Sequence, residues 1–227
     1  MNKDTELRNK VFFLPWVGEN YKKGIDGKKI LVLGESHICG CCDDPSVCGD
    51  LSITDESCRN FTSHVAIDDY FNYKKGLRKS AHWMNTFTKF GNVFYNEWLC
   101  PEDSLEFWNS IIFYNYVQYS TEQARVSPKD KEFTNSENAF FAVLEKYNPD
   151  IIIAWGKRLW KNLPSNGFYK TLDDEETSIN DGKGLYYYRI GNKDIPIFYV
   201  YHPSSSHFTY DSHSVLKEAF DKIAETK

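Results

Sequence analysis

The stretch "KKILVLGESHICGCC", residues 28–42, decides the fold class of this chain. It begins as a run of strand-forming residues with apolar side chains on both faces, which is typical of a central strand covered by helices. The run ends at Gly34, and a carboxylate, a hydroxyl and an imidazole follow it at once. Three further segments also show an apolar run that ends in a polar or glycine break: 110–118, 149–157 and 195–206.

Amphipathic stretches separate these runs. The spacing of apolar residues predicts helices over 82–98, 136–150 and 211–225, the second of them capped by Ser136. The segment "LYYYRI" at 185–190 is expected to pair with the fourth run across the "GNKD" turn. The alternation predicts a single domain over residues 1–227, with a three-layer α/β/α arrangement, a central, mainly parallel four-stranded sheet and an edge hairpin.

Composition limits the function classes. Of the 227 residues, 41% are hydrophobic and 16% aromatic, which excludes a disordered or fibrous chain. The net charge of −5 argues against a surface that is electropositive as a whole, so any DNA contact has to be local. No segment approaches the ~18 apolar residues of a membrane span, and the apolar stretch near the N-terminus is too short for a signal peptide. We expect a cytoplasmic monomer without membrane contact.

Polar side chains follow each apolar run. In an open parallel sheet the ligand site lies beyond the carboxyl ends of the strands, so these side chains form the candidate site. An amide there can read the edge of a flat ring, and an imidazole can stabilise a leaving group that gathers negative charge. The groups are Glu35, Ser36 and His37 from the first run, Asn115 and Gln118 from the second, Lys157 from the third, and His202, Ser204, Ser205 and Ser206 from the fourth.

The order and spacing of four motifs resemble the uracil-DNA glycosylase superfamily. "VLGES" is similar to the first motif of that superfamily, which reads GQDPY in one branch and GEAPG in another. "FYNYV" resembles the strand that ends in the base-reading Asn, and "PDIIIAWGKRLWKNL" resembles the third strand with its following helix. "YHPSSS" resembles the HPS loop. The match covers most of residues 28–215 and implies a uracil-DNA glycosylase-like fold.

The resemblance also implies an activity. A DNA N-glycosylase is a hydrolase of base-excision repair that flips out uracil or a related damaged base and cleaves its N-glycosidic bond. In that reaction His202 would hydrogen-bond the base carbonyl that gathers charge. Asn115 would pair with the edge of the flipped base, and Phe61 would stack on its face.

At two positions this sequence differs from the best-known branch of the superfamily. Ser36 stands where that branch has the Asp that positions water, and Ile38 stands where it has the Tyr that excludes the methyl group of thymine, so both are expected to lie in the base-binding site. Glu35 aligns with the carboxylate of the GEAPG branch. Either Glu35 or His37 is therefore the catalytic group expected to orient the attacking water.

The last motif implies the DNA contacts. The turn from Ser204 to His207, which contains Ser205 and Ser206, is expected to press on the DNA backbone or to fill the gap left by the flipped nucleotide. Lys157 is expected to contact DNA as well. Ser206 occupies the position of the Leu wedge in the HPSPLS form of the loop. Phe208 is therefore the nearby apolar residue expected to intercalate.

Five of the six cysteines lie between 39 and 58, in a Cys-rich insertion at about 38–60. In a reducing cytoplasm such a cluster is more typical of a metal site or of buried thiols than of disulfides. In the superfamily branches that carry an iron–sulfur cluster, the first two cysteines precede the GEAPG motif, so this pattern differs from theirs. A structural zinc ion or iron–sulfur cluster would be held by Cys39, Cys41, Cys42, Cys48 and Cys58.

Two alternatives to the glycosylase stay open. The first is a catalytically inactive module of the same fold that recognises a nucleobase, a nucleotide or nucleic acid, since the water-positioning Asp is replaced. The second is a metal-bearing regulatory protein organised by the cysteines. We expect the partner to be damaged or single-stranded DNA, or a free nucleobase or nucleotide, and catalysis to require no cofactor.

Overall fold

A computed structural model describes residues 3–38, 48–121, 126–170 and 185–225 of the chain. Its helices are α1 (Lys3–Arg8), α2 (Glu56–Arg59), a π-helix (Thr62–Asp68), α3 (Asp69–Lys74), α4 (Met84–Tyr95), α5 (Pro101–Asn109), α6 (Asp130–Asn135), α7 (Glu137–Tyr147), α8 (Lys157–Lys161) and α9 (Ser212–Glu225). Its strands are β1 (Trp16–Val17), β2 (Ile30–Gly34), β3 (His37–Ile38), β4 (Ile112–Asn115), β5 (Ser120–Thr121), β6 (Ile151–Trp155), β7 (Phe168–Lys170), β8 (Leu185–Ile190) and β9 (Lys193–Val200).

The main sheet has seven strands in the order β1-β4-β2-β6-β9-β8-β7. Its four central strands, β4, β2, β6 and β9, run parallel and come from the four apolar runs. β1 is antiparallel at one edge, and β8 and β7 are antiparallel at the other. The predicted α/β class with a mainly parallel central sheet is confirmed, and so is the β8–β9 hairpin. The sequence did not predict β1 and β7, which are two and three residues long.

The central strands bury side chains on both faces. In β2, Ile30 and Val32 belong to one apolar cluster, and Leu31 and Leu33 belong to a second. Side chains of α4, α5 and α9 complete the first cluster, and side chains of α7 and α8 complete the second. Because burial of one such side chain stabilises the fold by about 1.5–3 kcal/mol, a strand apolar on both faces is held between helices.

The predicted helices are confirmed as α4, α7 and α9. Two of them end at an asparagine in the left-handed region, Asn96 after α4 and Asn148 after α7. Ser136 is the N-cap residue of α7, as predicted, but its side chain makes no capping hydrogen bond. The Oγ of Ser136 instead accepts from the backbone N–H of Gln118 at 2.9 Å and donates to the Glu132 carbonyl at 2.7 Å. Among the described residues, no helix is long and apolar enough to cross a membrane.

A short second sheet lies beyond the ends of β2 and β4. β3 and β5 pair in parallel, with His37 opposite Ser120. The Oγ1 of Thr121 donates to the His37 carbonyl at 3.1 Å, and the N–H of Tyr116 donates to the Gly34 carbonyl at 2.9 Å. The chain that leaves β2 is therefore held beside the chain that leaves β4.

Arg59, a buried residue at the end of α2, links the N-terminal segment to residues 51–59, which lie in the C-terminal part of the Cys-rich insertion. Its Nη1 donates to the carbonyls of Leu51 (3.3 Å) and Ile53 (3.2 Å), and its Nη2 donates to those of Val11 (2.8 Å) and Arg8. The guanidinium also lies 5.5 Å from the ring centroid of Phe12. A fork with several donors can satisfy carbonyls from two segments at once.

Replacement of Arg59 tests this tie. Arg59→Leu leaves buried carbonyls without donors, and we expect it to lower the free energy of unfolding by about 3 kcal/mol in urea titrations. Arg8→Leu is the matched control, because Arg8 forms a solvent-exposed ion pair with Glu56 at 2.7 Å, and loss of such a pair is expected to lower the free energy of unfolding much less. Equal losses in the two variants would contradict the tie.

Candidate functional site

The ends of the four parallel strands bring the predicted polar groups to one edge of the sheet. Gly34 and Asn115 are register partners at the ends of β2 and β4. Gly156, directly after β6, lies beside the start of the loop after β9, where a Cβ on this glycine would be 3.5 Å from the Cβ of His202. The structure therefore groups Asn115 with the residues after β2 and groups His202 with those after β6.

Gly34 makes room for the amide of Asn115. A Cβ on Gly34 would lie 2.0 Å from the Oδ1 of Asn115, which is closer than two such atoms can approach. The amide is buried, and its Oδ1 lies over the Cα of Gly34, where a Cα–H can form a weak contact with an oxygen. The glycine that ends the first apolar run is thus a requirement of the site.

His37 forms a hydrogen bond with the nitrogen of the Asn115 amide. The Nδ2 of Asn115 lies 3.1 Å from the Nδ1 of His37, and the Nε2 of His37 lies 3.2 Å from the Oγ1 of Thr62. Because an amide nitrogen only donates, Nδ1 accepts, and the neutral ring donates from Nε2 to Thr62. Its ring packs against Phe13 at 4.4 Å and Phe61 at 5.2 Å between centroids. Burial lowers the pKa of His37 to about 3.

The structure does not support the prediction that His37 orients water. Its side chain is 3% exposed and both ring nitrogens are in hydrogen bonds within the protein. His37 instead fixes the orientation of the Asn115 amide. That amide retains one N–H and Oδ1, and Oδ1 makes no hydrogen bond to a group that the structure describes, the side chains of 63–65 lying outside this description.

Glu35 forms an ion pair that the sequence analysis did not predict. The Nε of Arg158 donates to Oε2 of Glu35 at 2.7 Å, and its Nη2 donates to Oε1. The Glu35 side chain is 13% exposed and that of Arg158 is 51% exposed, so only one partner is open to solvent. The carboxylate raises the pKa of Arg158. The sequence signal for this pair is a cation three residues after the end of β6, next to Lys157.

His202 presents a neutral donor. Its Nδ1 accepts from the backbone N–H of Ser204 at 3.2 Å and lies 2.8 Å from the Ser204 hydroxyl. Nε2 therefore carries the proton of the neutral ring, and it makes no hydrogen bond within the described part of the chain. Burial lowers the pKa of His202, with Glu35 acting in the opposite direction and Arg158 in the same one. The rings of His202 and Trp155 pack nearly perpendicular to each other, with 5.8 Å between their centroids.

The other predicted base-binding residues lie around these groups. Phe61 is half-buried and packs edge-on to His37, so it is at the site. Ser36 is half-buried between Glu35 and His37. Ile38 is 53% exposed, so it can contact a ligand only at the rim.

Among the predicted DNA-contacting residues, Phe208 is the one whose burial does not fit its predicted role. Ser204 and Ser206 are exposed, as is Lys157 at the start of α8, so all three are accessible to DNA. The Ser205 carbonyl accepts from the Nζ of Lys89 at 3.1 Å. Phe208 is fully buried and stacks on Phe90 in the core at 6.1 Å, so the structure does not support its role as an intercalating wedge.

Only part of the cysteine cluster can be located. Cys39, Cys41 and Cys42 lie outside the described residues. Cys48 and Cys58 are free thiols packed in a small apolar cluster with Phe13, and the Sγ of Cys48 lies 3.1 Å from the Oγ of Ser120. The ranges that the structure covers contain no group of three or more side chains placed to hold a metal ion. The structural metal stays a prediction.

A separate cavity of about 120 Å³ lies between α1 and α7. Its walls include Leu7, Lys10 and Ala142 and none of the strand-end side chains. The candidate site is therefore defined by its polar groups and not by this cavity.

Neither models of known protein families nor curated proteins match this chain. Its function has to be inferred from the geometry of the site.

The buried neutral imidazole of His37 predicts a loss of stability in acid. The unfolded chain binds this proton near pH 6.5 and the folded chain only near pH 3, so the unfolded state takes up more protons between these values. The free energy of unfolding should fall by about 2 kcal/mol between pH 7 and pH 5 from this group alone. Urea titrations should show a smaller fall in His37→Gln.

The control for this measurement is His82→Gln, since His82 is an exposed histidine before α4. It should leave the pH dependence of the parent protein unchanged. An equal fall between pH 7 and pH 5 in the parent and in His37→Gln would contradict a neutral, buried His37.

Proposed function

We propose that this chain is a DNA N-glycosylase of uracil-DNA glycosylase-like fold, which binds a flipped uracil or related damaged base and hydrolyses its N-glycosidic bond. The observation that carries the proposal is the placement of a buried amide, Asn115, and a neutral imidazole, His202, at the carboxyl ends of strands in one parallel sheet. The two apolar clusters on opposite faces of the sheet are consistent with the three layers of that fold.

Asn115 would read the edge of the base. An amide presents an acceptor and a donor side by side, and these match the N3–H donor and the O4 acceptor of uracil. Because His37 accepts from Nδ2, it opposes the flipped orientation that would match the amino group of cytosine. The fixed amide therefore favours bases with a keto edge.

His202 would stabilise the leaving group. When the bond between C1′ and the base nitrogen breaks, negative charge gathers on the carbonyl of the departing base. The Nε2–H of a neutral imidazole donates to this oxygen, and removal of one such donor typically costs 10²–10³-fold in rate. The Ser204 N–H holds the ring in the tautomer that this step needs.

Glu35 would act on water only after it leaves Arg158. A DNA phosphate competes for the guanidinium, since arginine binds phosphate and carboxylate with the same fork of donors. The half-exposed Arg158 can reach such a phosphate. The freed carboxylate then accepts a proton from water, whose oxygen bonds to C1′ as the base departs as an anion.

A base-release assay tests the proposal. The parent protein, incubated with single- and double-stranded oligonucleotides that carry uracil, hypoxanthine, xanthine or hydroxymethyluracil, should leave abasic sites that alkali cleaves. His202→Ala should lower the single-turnover rate by about 10²–10³-fold, because the donor to the base carbonyl is lost. His202→Gln places an N–H near the former Nε2 and should retain part of the rate. Release that is equal in the parent and in His202→Ala would sink the assignment.

A second candidate function, a recognition module without catalysis, is favoured by the ion pair of Glu35. The carboxylate is held by Arg158, and the imidazole of His37 is held by Asn115 and Thr62. If neither group becomes free, the pocket binds a base and the bond stays intact. The metal-bearing regulatory protein stays a further prediction, since three of its five cysteines lie outside the described residues.

Two substitutions at the ion pair separate enzyme from module. In the enzyme, Glu35→Gln should lower the single-turnover rate at least about 10²-fold because the proton acceptor is lost, whereas Arg158→Gln should mainly raise the DNA concentration needed for half-maximal rate. In the module, anisotropy of labelled oligonucleotides should report altered affinity in both variants, with no base released by any of the three proteins.

A further inference from the structure

One stretch of the chain has a charge balance opposite to that of the whole. Residues 70–96 contain no Asp or Glu, although the chain as a whole has a net charge of −5. The basic residues of this stretch are Lys74, Lys75, Arg78, Lys79 and Lys89. This run is a local positive region of the kind that a DNA contact needs.

The centre of the run is an exposed loop between α3 and α4. α3 ends at Lys74, and Gly76 has a φ of 73°, in the left-handed region that favours glycine. The N–H of Leu77 then donates to the Asn72 carbonyl at 2.8 Å and closes the turn. Residues 75–80, here called the cationic loop, are all exposed, and Leu77 is 75% exposed at its tip.

The charges of the cationic loop are only partly neutralised. Arg78 forms an ion pair with Asp69. Lys75 and Lys79 are exposed, and neither forms an ion pair with a residue that the structure describes. Lys75 and Lys79, one on each side of the exposed Leu77, are therefore open to an anionic partner.

The elements on both sides of the cationic loop touch the candidate site. The π-helix before α3 begins at Thr62, whose Oγ1 lies 3.2 Å from Nε2 of His37. α4, which follows the loop, carries Lys89, whose Nζ donates to the Ser205 carbonyl in the loop after β9. The cationic loop is thus connected, through α3 on one side and through α4 on the other, to residues that contact the candidate site.

We infer that the cationic loop binds the DNA backbone beside the flipped base, with Lys75 and Lys79 on phosphates and Leu77 against the bases in a groove. This inference rests on the proposed function. Lysine–phosphate contacts provide affinity without sequence preference, and leucine is one of the apolar residues that proteins insert at base steps. Leu77 would supply the apolar contact that the buried Phe208 is not placed to make.

The test measures binding to undamaged single- and double-stranded oligonucleotides by fluorescence anisotropy at several salt concentrations. Lys75→Gln/Lys79→Gln should bind about tenfold more weakly, and the slope of log affinity against log salt should become shallower by about 1.8 for duplex DNA and about 1.4 for single strands, as expected for two lost phosphate contacts. The control is Lys22→Gln/Lys23→Gln, which removes two exposed lysines from the turn before β2 and should change neither value. Leu77→Ala should weaken binding without a change of slope.

Unchanged affinity and slope in Lys75→Gln/Lys79→Gln would overturn the inference, as would a parent protein that binds no oligonucleotide. Because undamaged DNA offers no base for excision, the result is independent of turnover. If the parent releases a base and the loop variants bind as the parent does, the inference fails and the proposed function stands. If the loop variants lose binding while no protein releases a base, the inference stands and the glycosylase proposal fails.

Discussion

The hydrogen bond between Asn115 and His37 is the contact on which the candidate site depends. It joins residues 78 positions apart and buries both of them, so this hydrogen bond replaces water as the partner of Nδ2 of Asn115 and Nδ1 of His37. Three conditions make it feasible: the absence of a side chain at Gly34, a neutral imidazole, and Thr62 as the partner of the second ring nitrogen. A change at any of these positions would release the amide that is proposed to read the base.

The surroundings of His37 extend this constraint into the fold. Phe13 covers the imidazole, and its backbone N–H donates to Oε1 of Gln118 at 2.8 Å. Gln118 is a predicted site residue, but its side chain is not available to bind a ligand. Its Nε2 donates to the hydroxyl of Tyr114 and to the carbonyls of Asn115 and Tyr116. Arg59 fixes the segment that carries Phe13 through the Val11 carbonyl. The N-terminal segment therefore belongs to the support of the site even though it precedes the first apolar run.

The sequence predicts the elements better than the contacts. Strands buried on both faces leave a continuous apolar run, and this local signal gave β2, β4, β6 and β9 together with the polar residues at their ends. Asn115 and His202 follow from the same signal. The pair of Glu35 with Arg158 spans 123 residues and depends on β2 and β6 being neighbours in the sheet, which no local pattern records.

Phe208 and His37 are residues whose predicted roles fail because the structure buries them. Phe208 follows an exposed loop and has the residue type of a wedge, yet α4 supplies Phe90 beside it and the ring is drawn into the core. His37 has the residue type of a catalytic base, yet the pairing of β3 with β5 turns it inward. Residue type and position in a motif narrow the choice of site residues, while burial decides among them.

The measurement that tests the central claim most directly is an NMR titration of ¹⁵N-labelled protein with free uracil and, separately, cytosine. The side-chain amide of Asn115 and the Nε2 resonance of His202 are assigned from the spectra of Asn115→Asp and His202→Gln. The account predicts that uracil shifts both resonances together, and that cytosine shifts them less at the same concentration. Saturating uracil, or a uracil-containing oligonucleotide, that left both resonances in place would contradict a base pocket formed by Asn115 and His202.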